Sequence, residues 1–369
     1  MDPDNTTNPY RIRRDASASP RSATPPRSGG CGWIVLSLIL AGLLALTWIG
    51  IVASAGAGFA MTEGAMDSMW EENILEDNGA SDDVAVLDVT GLISNLAIDA
   101  TGMTMVESIK DQLKLAAEAP NVKGVLLKID SPGGEVLASD DIYRELKEFQ
   151  DRTGKPVVAS MSGLAASGGY YVAAACRWIV ANELTITGSI GVIMHSYNYR
   201  GLMDKVGIQP QVFKSGRFKD MLSGDKAPEE ILPETRDMVQ AMIDETFERF
   251  KTVVQEGRNQ AQQENAGTGK SLVEDWEEYA DGRILSGKQA FDLGFVDELG
   301  NFDQARSRIE TLLGGDPVNL IEYQQPFSLG NMFRLFGKTE DPQIKIDLGL
   351  NLPTLQAGRL YFLGTNFVQ

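Results

Sequence analysis

The sequence predicts an α/β domain built on a mostly parallel sheet, and three observations lead to it. From Val84 onward, short apolar runs alternate with amphipathic helical runs, the pattern of repeated β-α units. One apolar run, Pro156-Val157-Val158-Ala159, leads through Ser162-Gly163-Leu164-Ala165-Ala166-Ser167-Gly168-Gly169 into the helix-like run Tyr171–Cys176, so a serine sits at a strand–turn–helix junction. A chain of 369 residues, 43% hydrophobic and 23% charged, has ordinary globular composition and can bury a sizeable core.

The elements follow in order. Val84–Val89 reads as a strand and Met105–Ala119 as an amphipathic helix. Val122–Asp130 reads as a strand ending at Ser131-Pro132-Gly133-Gly134. Ser139–Asp151 reads as a helix, with Ser139 a candidate N-cap because its hydroxyl can accept an orphan N–H. Val157–Ser160 is the strand before Ser167. Trp178–Val180, Gly191–Met194 and Gln211–Lys214 are further short strands, and Tyr199–Val206 is a helix. Pro233–Glu256 is a long helix with Val239, Met242, Ile243, Phe247, Phe250 and Val254 at helical spacing. Ala280–Gly300 closes the regular part.

The ends differ from this domain, which spans 84–310. Residues 1–30 are rich in Arg, Pro, Ser and Thr and are expected to be disordered. Residues 31–58 hold an uncharged apolar run long enough for one transmembrane helix, with Trp33 and Trp48 placed as interfacial residues. Arginines before it and Glu63, Asp67, Glu71 and Glu72 after it put the N-terminus in the cytoplasm and the main domain outside the inner membrane. A cleaved secretory signal is the competing reading of this run. Residues 59–83 read as an acidic, irregular stalk and 311–369 as a C-terminal tail with an apolar end at Leu360–Leu363.

Composition also bounds function. Net charge is −18; the first 30 residues carry about +2 and the remainder about −20, which argues against a nucleic-acid partner. The two cysteines, Cys31 and Cys176, give neither a disulfide framework nor metal-ligand spacing. No metal, nucleotide or other cofactor is expected.

The small residues around Ser167 let the backbone bend and leave the hydroxyl uncovered, and a helix start there points free N–H groups at an oxyanion. A serine nucleophile also needs a base. The single histidine, His195, follows Ser167 with only Glu183 as an acid between them, too early for a hydrolase triad. A lysine can serve if loss of water disfavours its charged form. Lys214-Ser215-Gly216-Arg217-Phe218-Lys219-Asp220 supplies two candidates, Lys214 and Lys219. Backbone N–H groups of Gly134, or its neighbour Gly133, and of Gly168 are candidate oxyanion donors, since glycine permits close approach.

These motifs stand in an order that resembles the signal peptide peptidase A (SppA) family of membrane-anchored bacterial Ser-Lys peptidases. The resemblance rests on Asp130–Gly134, Ala165–Tyr171, Thr187–Val192, Ser215–Asp220, Ala280–Arg283 and Val296–Gly300, and covers about residues 84–305. It implies a Clp-protease/crotonase-like fold of stacked β-β-α units. It implies Ser167 as nucleophile, Lys219 rather than Lys214 as general base, and Ser189 as the residue orienting that lysine. It further implies the short, single-repeat form, working as a homo-oligomeric ring whose sites are completed between subunits, on released signal peptides or other short apolar peptides. The alternatives are a related Ser-Lys membrane protease that cuts a stomatin-like partner, an acyl-CoA enzyme of crotonase fold, and a non-catalytic scaffold.

Overall fold

The arrangement follows from a sheet whose strands are apolar on both faces. The computed structural model describes Gly42, Leu44, Thr47 and residues 70–97, 102–325 and 361–363. The chain divides into two units, Met1–Met66 and Asp67–Gln369. In the first, Gly42, Leu44 and Thr47 are helical; the rest of the expected membrane span lies outside the described residues. Among the described residues no helix is long and apolar enough to cross a membrane.

The second unit carries the sheet. Its strands are β1 (Glu71–Glu76), β2 (Asp83–Thr90), β3 (Val122–Ser131), β5 (Val157–Ala165), β6 (Trp178–Ala181), β9 (Glu298–Leu299) and β10 (Asn319–Gln324), in the order β1-β10-β2-β3-β5-β6-β9. From β10 to β9 every pairing is parallel; β1 is an antiparallel edge. Parallel strands need crossovers, which the helices provide. These are α1 (Met105–Glu118), α2 (Val136–Thr153), α3 (Gly168–Ala173), α4 (Arg200–Val206), α5 (Pro233–Glu264), α6 (Gly287–Asp292) and α7 (Phe302–Leu313).

Side chains alternate along a strand, so each strand feeds two cores. Ala85, Leu87, Val125, Leu127, Val157 and Ala159 face one way and pack with Ile109 and Leu113 of α1, Ile142 and Phe149 of α2, and Phe250 and Val254 of α5. Val84, Val86, Leu126, Val158 and Val180 face the other way and pack with Ala305 and Ile309 of α7. Helix α1 is bracketed by specific contacts: Thr104 Oγ1 accepts from the Glu107 N–H (3.2 Å), while Glu107 Oε2 accepts from the Thr104 N–H (2.8 Å). At its other end Lys155 Nζ donates to the carbonyls of Ala116 (2.6 Å), Ala117 (3.1 Å) and Ala119 (3.0 Å), orphan acceptors of the last turn.

Several expectations are corrected. Helix α2 begins at Val136 with Glu135 at its N-cap, because the short strand β4 (Gly133–Glu135) runs straight into it. Ser139 is therefore inside the helix, where its Oγ donates back to the Glu135 carbonyl (2.9 Å). Gly191–Met194 is no strand: Ile193 makes one isolated bridge, and the strand lies earlier, as β7 (Ile186–Gly188), paired with Leu164 and with β8 (Ile284–Ser286). Gln211–Lys214 is exposed and irregular, having no partner strand to pleat against. Strand β1 falls inside the segment read as an irregular stalk, and β10 inside the segment read as tail.

Candidate active site

Ser167 stands where β5 gives way to α3, and its backbone is strained. Its φ of 54° and ψ of −116° lie outside the regions open to L-residues, a conformation costing about 1–3 kcal/mol that surrounding contacts must hold. They do so from both sides. The Ser167 N–H donates to the Gly188 carbonyl (2.8 Å), and its own carbonyl accepts from the Tyr171 N–H (2.8 Å). Ala166 N–H donates to the Ser131 carbonyl (3.1 Å), which ties the serine turn to the Gly133-Gly134 turn. Ser131 shapes that second turn: its Oγ donates to the Gly91 carbonyl (2.6 Å) and accepts from the Gly133 N–H (3.0 Å).

The two glycine positions abut. A Cβ on Gly168 would lie 3.1 Å from the Gly134 nitrogen and 2.5 Å from Ser139 Oγ; a Cβ on Gly134 would overlap the Ile93 carbonyl. Glycine is required at both for the chains to approach this closely. The backbone amide of Gly134 is thus brought beside the residue following Ser167. Contrary to the uncovered hydroxyl expected from the sequence, Ser167 Oγ is buried, because the tight turn packs it in, and it has no hydrogen-bond partner among the described residues. For a buried hydroxyl that is an uncompensated cost, and it leaves the oxygen uncommitted.

Ser189 comes next to Ser167 through Gly188. It is 5% exposed, has φ 52°, and donates its N–H to the Arg283 carbonyl (2.7 Å). The lysines are elsewhere. Lys214 Nζ donates to both oxygens of Asp220 (2.9 Å each). Lys219 is exposed and makes no hydrogen bond or ion pair with the described residues. Within one chain, then, Lys219 and Ser167 are not joined. His195 is exposed and stacks on Tyr197 (ring centroids 6.5 Å apart) rather than entering the site. No group of three or more His, Cys, Asp or Glu residues able to hold a metal ion occurs among the described residues.

Of two further features of the site, the sequence leaves the first open, as a role for the C-terminal tail, and gives no sign of the second. Strand β11 (Tyr361–Leu363) lies antiparallel along β4, with Tyr361 opposite Glu135, Phe362 opposite Gly134 and Leu363 opposite Gly133. On its other side Tyr361 exchanges backbone hydrogen bonds with Ile193 (3.1 and 3.2 Å). The chain's own terminal segment therefore runs as a strand between β4 and Ile193, packed near α3. The apolar run Leu360–Leu363 was the available signal, but no local pattern names its partner.

The second feature is a cavity of about 900 Å³ beside this strand path, bordered by Glu135, Val136, Leu137, Tyr171 and Met194, with Asp140, Arg144 and Arg249 at its wall. Asp140 accepts from Tyr171 OH (2.5 Å), Arg144 Nε (2.5 Å) and Arg249 Nη2 (3.2 Å). Burial alone would raise its pKa, but the Tyr171 and Arg144 hydrogen bonds and the two guanidinium charges hold it below the usual carboxylate range. Burial, and then Asp140 itself, push the Tyr171 phenol up. This network fixes α2 against α3 and α5 and so holds the helix behind Ser167.

The sequence profile of the Clp protease family matches residues 94–180, and that of Peptidase family S49 matches residues 149–315. A Synechocystis sp. protein provisionally named a protease is 40% identical over 270 residues, covering 72% of this chain and 88% of that one. The chain belongs to peptidase family S49. An Enterococcus faecium protein provisionally named signal peptide peptidase SppA is 34% identical to this S49 peptidase over 256 residues, 69% of this chain and 70% of that one. The chloroplastic serine protease SPPA of Arabidopsis thaliana is 32% identical over 231 residues, 62% of this chain and 32% of that one. The S49 peptidase is a serine protease on an α/β fold with a Clp-protease-like region, and the SppA resemblance read from its motifs holds.

Proposed function

We propose that this S49 serine protease is a membrane-anchored Ser-Lys endopeptidase that cleaves released signal peptides or other short apolar peptides through an acyl-enzyme. The observation that carries the reading is the strained Ser167, its Oγ uncommitted, with the Gly134 and Gly168 backbones brought together beside it. In this reading Ser167 Oγ attacks the substrate carbonyl, Lys219 Nζ takes the hydroxyl proton, and Ser189 orients that amine. The Gly134 and Gly168 N–H groups receive the oxyanion, as preorganised donors to a developing charge. The protonated amine then gives its proton to the leaving nitrogen. Water, deprotonated by the same amine, hydrolyses the ester.

An extended substrate would take the place of β11. That edge already accepts a strand with backbone hydrogen bonds on both sides, the mode in which peptides add to sheets. The neighbouring cavity, with Val136, Leu137 and Met194, suits an apolar side chain. The apolar segment within 31–58, if it anchors the chain, keeps the site beside the bilayer that releases such peptides.

Lys219 is exposed within one chain, so the reading places it opposite Ser167 of a neighbouring copy in a ring. The surface around it supports association: Tyr197 is 77% and Phe213 93% exposed, and Leu202, Val206 and Ile208 are exposed beside them in sequence. So much uncovered apolar surface between residues 197 and 213 is the mark of a contact face.

A serine-directed fluorophosphonate and a chromogenic apolar peptide test this together. Labelling and turnover are expected in the parent chain and absent in Ser167→Ala. Lys219→Ala is expected to be inactive, whereas Lys214→Ala is expected to keep part of the activity. Turnover by Ser167→Ala removes the nucleophile assignment; inactivity of Lys214→Ala alone transfers the base role to Lys214.

A further inference from the structure

Residues 214–226 hold Lys214, Lys219 and Lys226, and of the two carboxylates among them, Asp220 and Asp225, it is Asp220 that is paired with lysines. Asp220 accepts from Lys214 Nζ with both oxygens (2.9 Å) and lies 3.0 Å from Lys226 Nζ. The Asp220 and Lys226 side chains are only 13% and 10% exposed, so their contact is sheltered from water. Lys219, the adjacent residue, is exposed and bonded to none of the described residues.

The rest of the loop is fastened at both ends. The Lys226 carbonyl accepts from Asn198 Nδ2 (2.9 Å) and the Gly224 carbonyl accepts from the Tyr199 N–H (2.8 Å). Arg217 Nη2 donates to Glu234 Oε1 at the start of α5 (2.9 Å). Between these anchors the turn closes on itself, with Ser223 N–H donating to the Asp220 carbonyl (3.0 Å). Asp220 is the one described side chain that joins the near side of this turn, at Lys214, to its far side, at Lys226.

We propose that Asp220 is the positioning residue for Lys219. Its carboxylate clips Lys214 to Lys226 across the base of the loop and turns the adjacent Lys219 outward as the amine presented to Ser167. The same clip removes competitors, since an ammonium held in an ion pair has no lone pair to offer. The inference rests on the assignment of Lys219 as the base. An aspartate side chain suits the task better than an amide: two negative oxygens serve two ammonium groups, whereas an asparagine offers one neutral acceptor and a donor that both lysines repel.

The test uses the full chain and four variants, Asp220→Asn, Asp220→Glu, Lys226→Met and Lys219→Ala. Each is assayed for kcat and KM on the chromogenic apolar peptide, with native mass measured alongside. Asp220→Asn is expected to lose about 100-fold in kcat, the effect of misplacing a reacting group by about 1 Å, with KM and native mass unchanged. Asp220→Glu recovers most of that loss. Lys226→Met, which removes the more sheltered partner while keeping an apolar stem, lowers kcat in the same direction and serves as the test if Asp220→Asn does not fold. Full activity in Asp220→Asn or Lys226→Met beside an inactive Lys219→Ala overturns the inference and leaves the base assignment standing. A kcat loss that Asp220→Glu does not recover, accompanied by dissociation, overturns it in favour of a purely structural ion pair. An active Lys219→Ala removes the base assignment, and the positioning role falls with it.

Discussion

Replacing Gly168 by alanine is the sharpest perturbation of the oxyanion side of the site. The added Cβ would stand 2.5 Å from Ser139 Oγ and 3.1 Å from both the Gly133 Cα and the Gly134 nitrogen. Ser139 cannot simply turn away without giving up its 2.9 Å bond to the Glu135 carbonyl, a loss of about 1 kcal/mol. The remaining contacts are with backbone, so the Gly133-Gly134 turn must retreat by a few tenths of an ångström from the place where it meets Ser167. If the Gly134 N–H is a donor to the oxyanion, misplacing it removes about 3 kcal/mol of transition-state stabilisation, a fall of about 100- to 1,000-fold in kcat. The assay is steady-state turnover of an apolar peptide, with a thermal melt to show that the chain folds. A second variant, Gly168→Ala with Ser139→Ala, removes the 2.5 Å clash but leaves the backbone ones; it is expected to regain stability and little of the activity. Parent-like kcat in folded Gly168→Ala, or full recovery in the double variant, would refute the assignment of this turn.

Other expectations follow from the same geometry. Arg258 and Asp297 are both about 1% exposed at their side chains and are bonded to each other, so Arg258→Met leaves a buried carboxylate unpaired and is expected to cost about 3–5 kcal/mol in urea unfolding. Asp140 has a depressed folded pKa, so its contribution is fully present above its unfolded value of about pH 4 and is lost as pH falls through the lower folded value. Unfolding free energies measured between pH 5 and pH 2, as round limits about that value, are expected to decline, and Asp140→Asn to flatten the decline. A chain ending at Gln325 lacks β11, which lies along β4; its KM for apolar peptides is expected to fall several-fold with little change in kcat, and an unchanged KM would place the peptide edge elsewhere.

The parts of this molecule legible in the sequence are those whose signal is local. Strands β2, β3 and β6 and helix α1 are marked by runs that need no distant partner to recognise. The turn at Ser167 was visible for the same reason: small residues on both sides of one serine, between a strand and a helix. What escaped was set by distant pairing. Strand β1, Glu71-Glu72-Asn73-Ile74-Leu75-Glu76, is an acidic edge that reads as irregular until β10 lies beside it. Strand β10 in turn owes its place to parallel pairing with β2, far earlier in the chain, and no local pattern announces that. Conversely, the apolar run at Gln211–Lys214 looks like a strand, yet Phe213 is 93% exposed; the run marks uncovered surface rather than sheet. Lys219 could be singled out over Lys214 only by resemblance to a family, whereas the structure adds a physical distinction, since Lys214 is held by Asp220 and Lys219 is not.

Mixing two inactive chains examines the Ser167–Lys219 pairing most directly. Ser167→Ala keeps the amine and Lys219→Ala keeps the alcohol. Co-assembled at equal amounts in a closed ring of identical contacts, they are expected to restore roughly a quarter of the parent peptidase activity, carried by sites that draw one group from each. A mixture as inactive as either chain alone, with assembly verified by native mass, would contradict a site shared between copies.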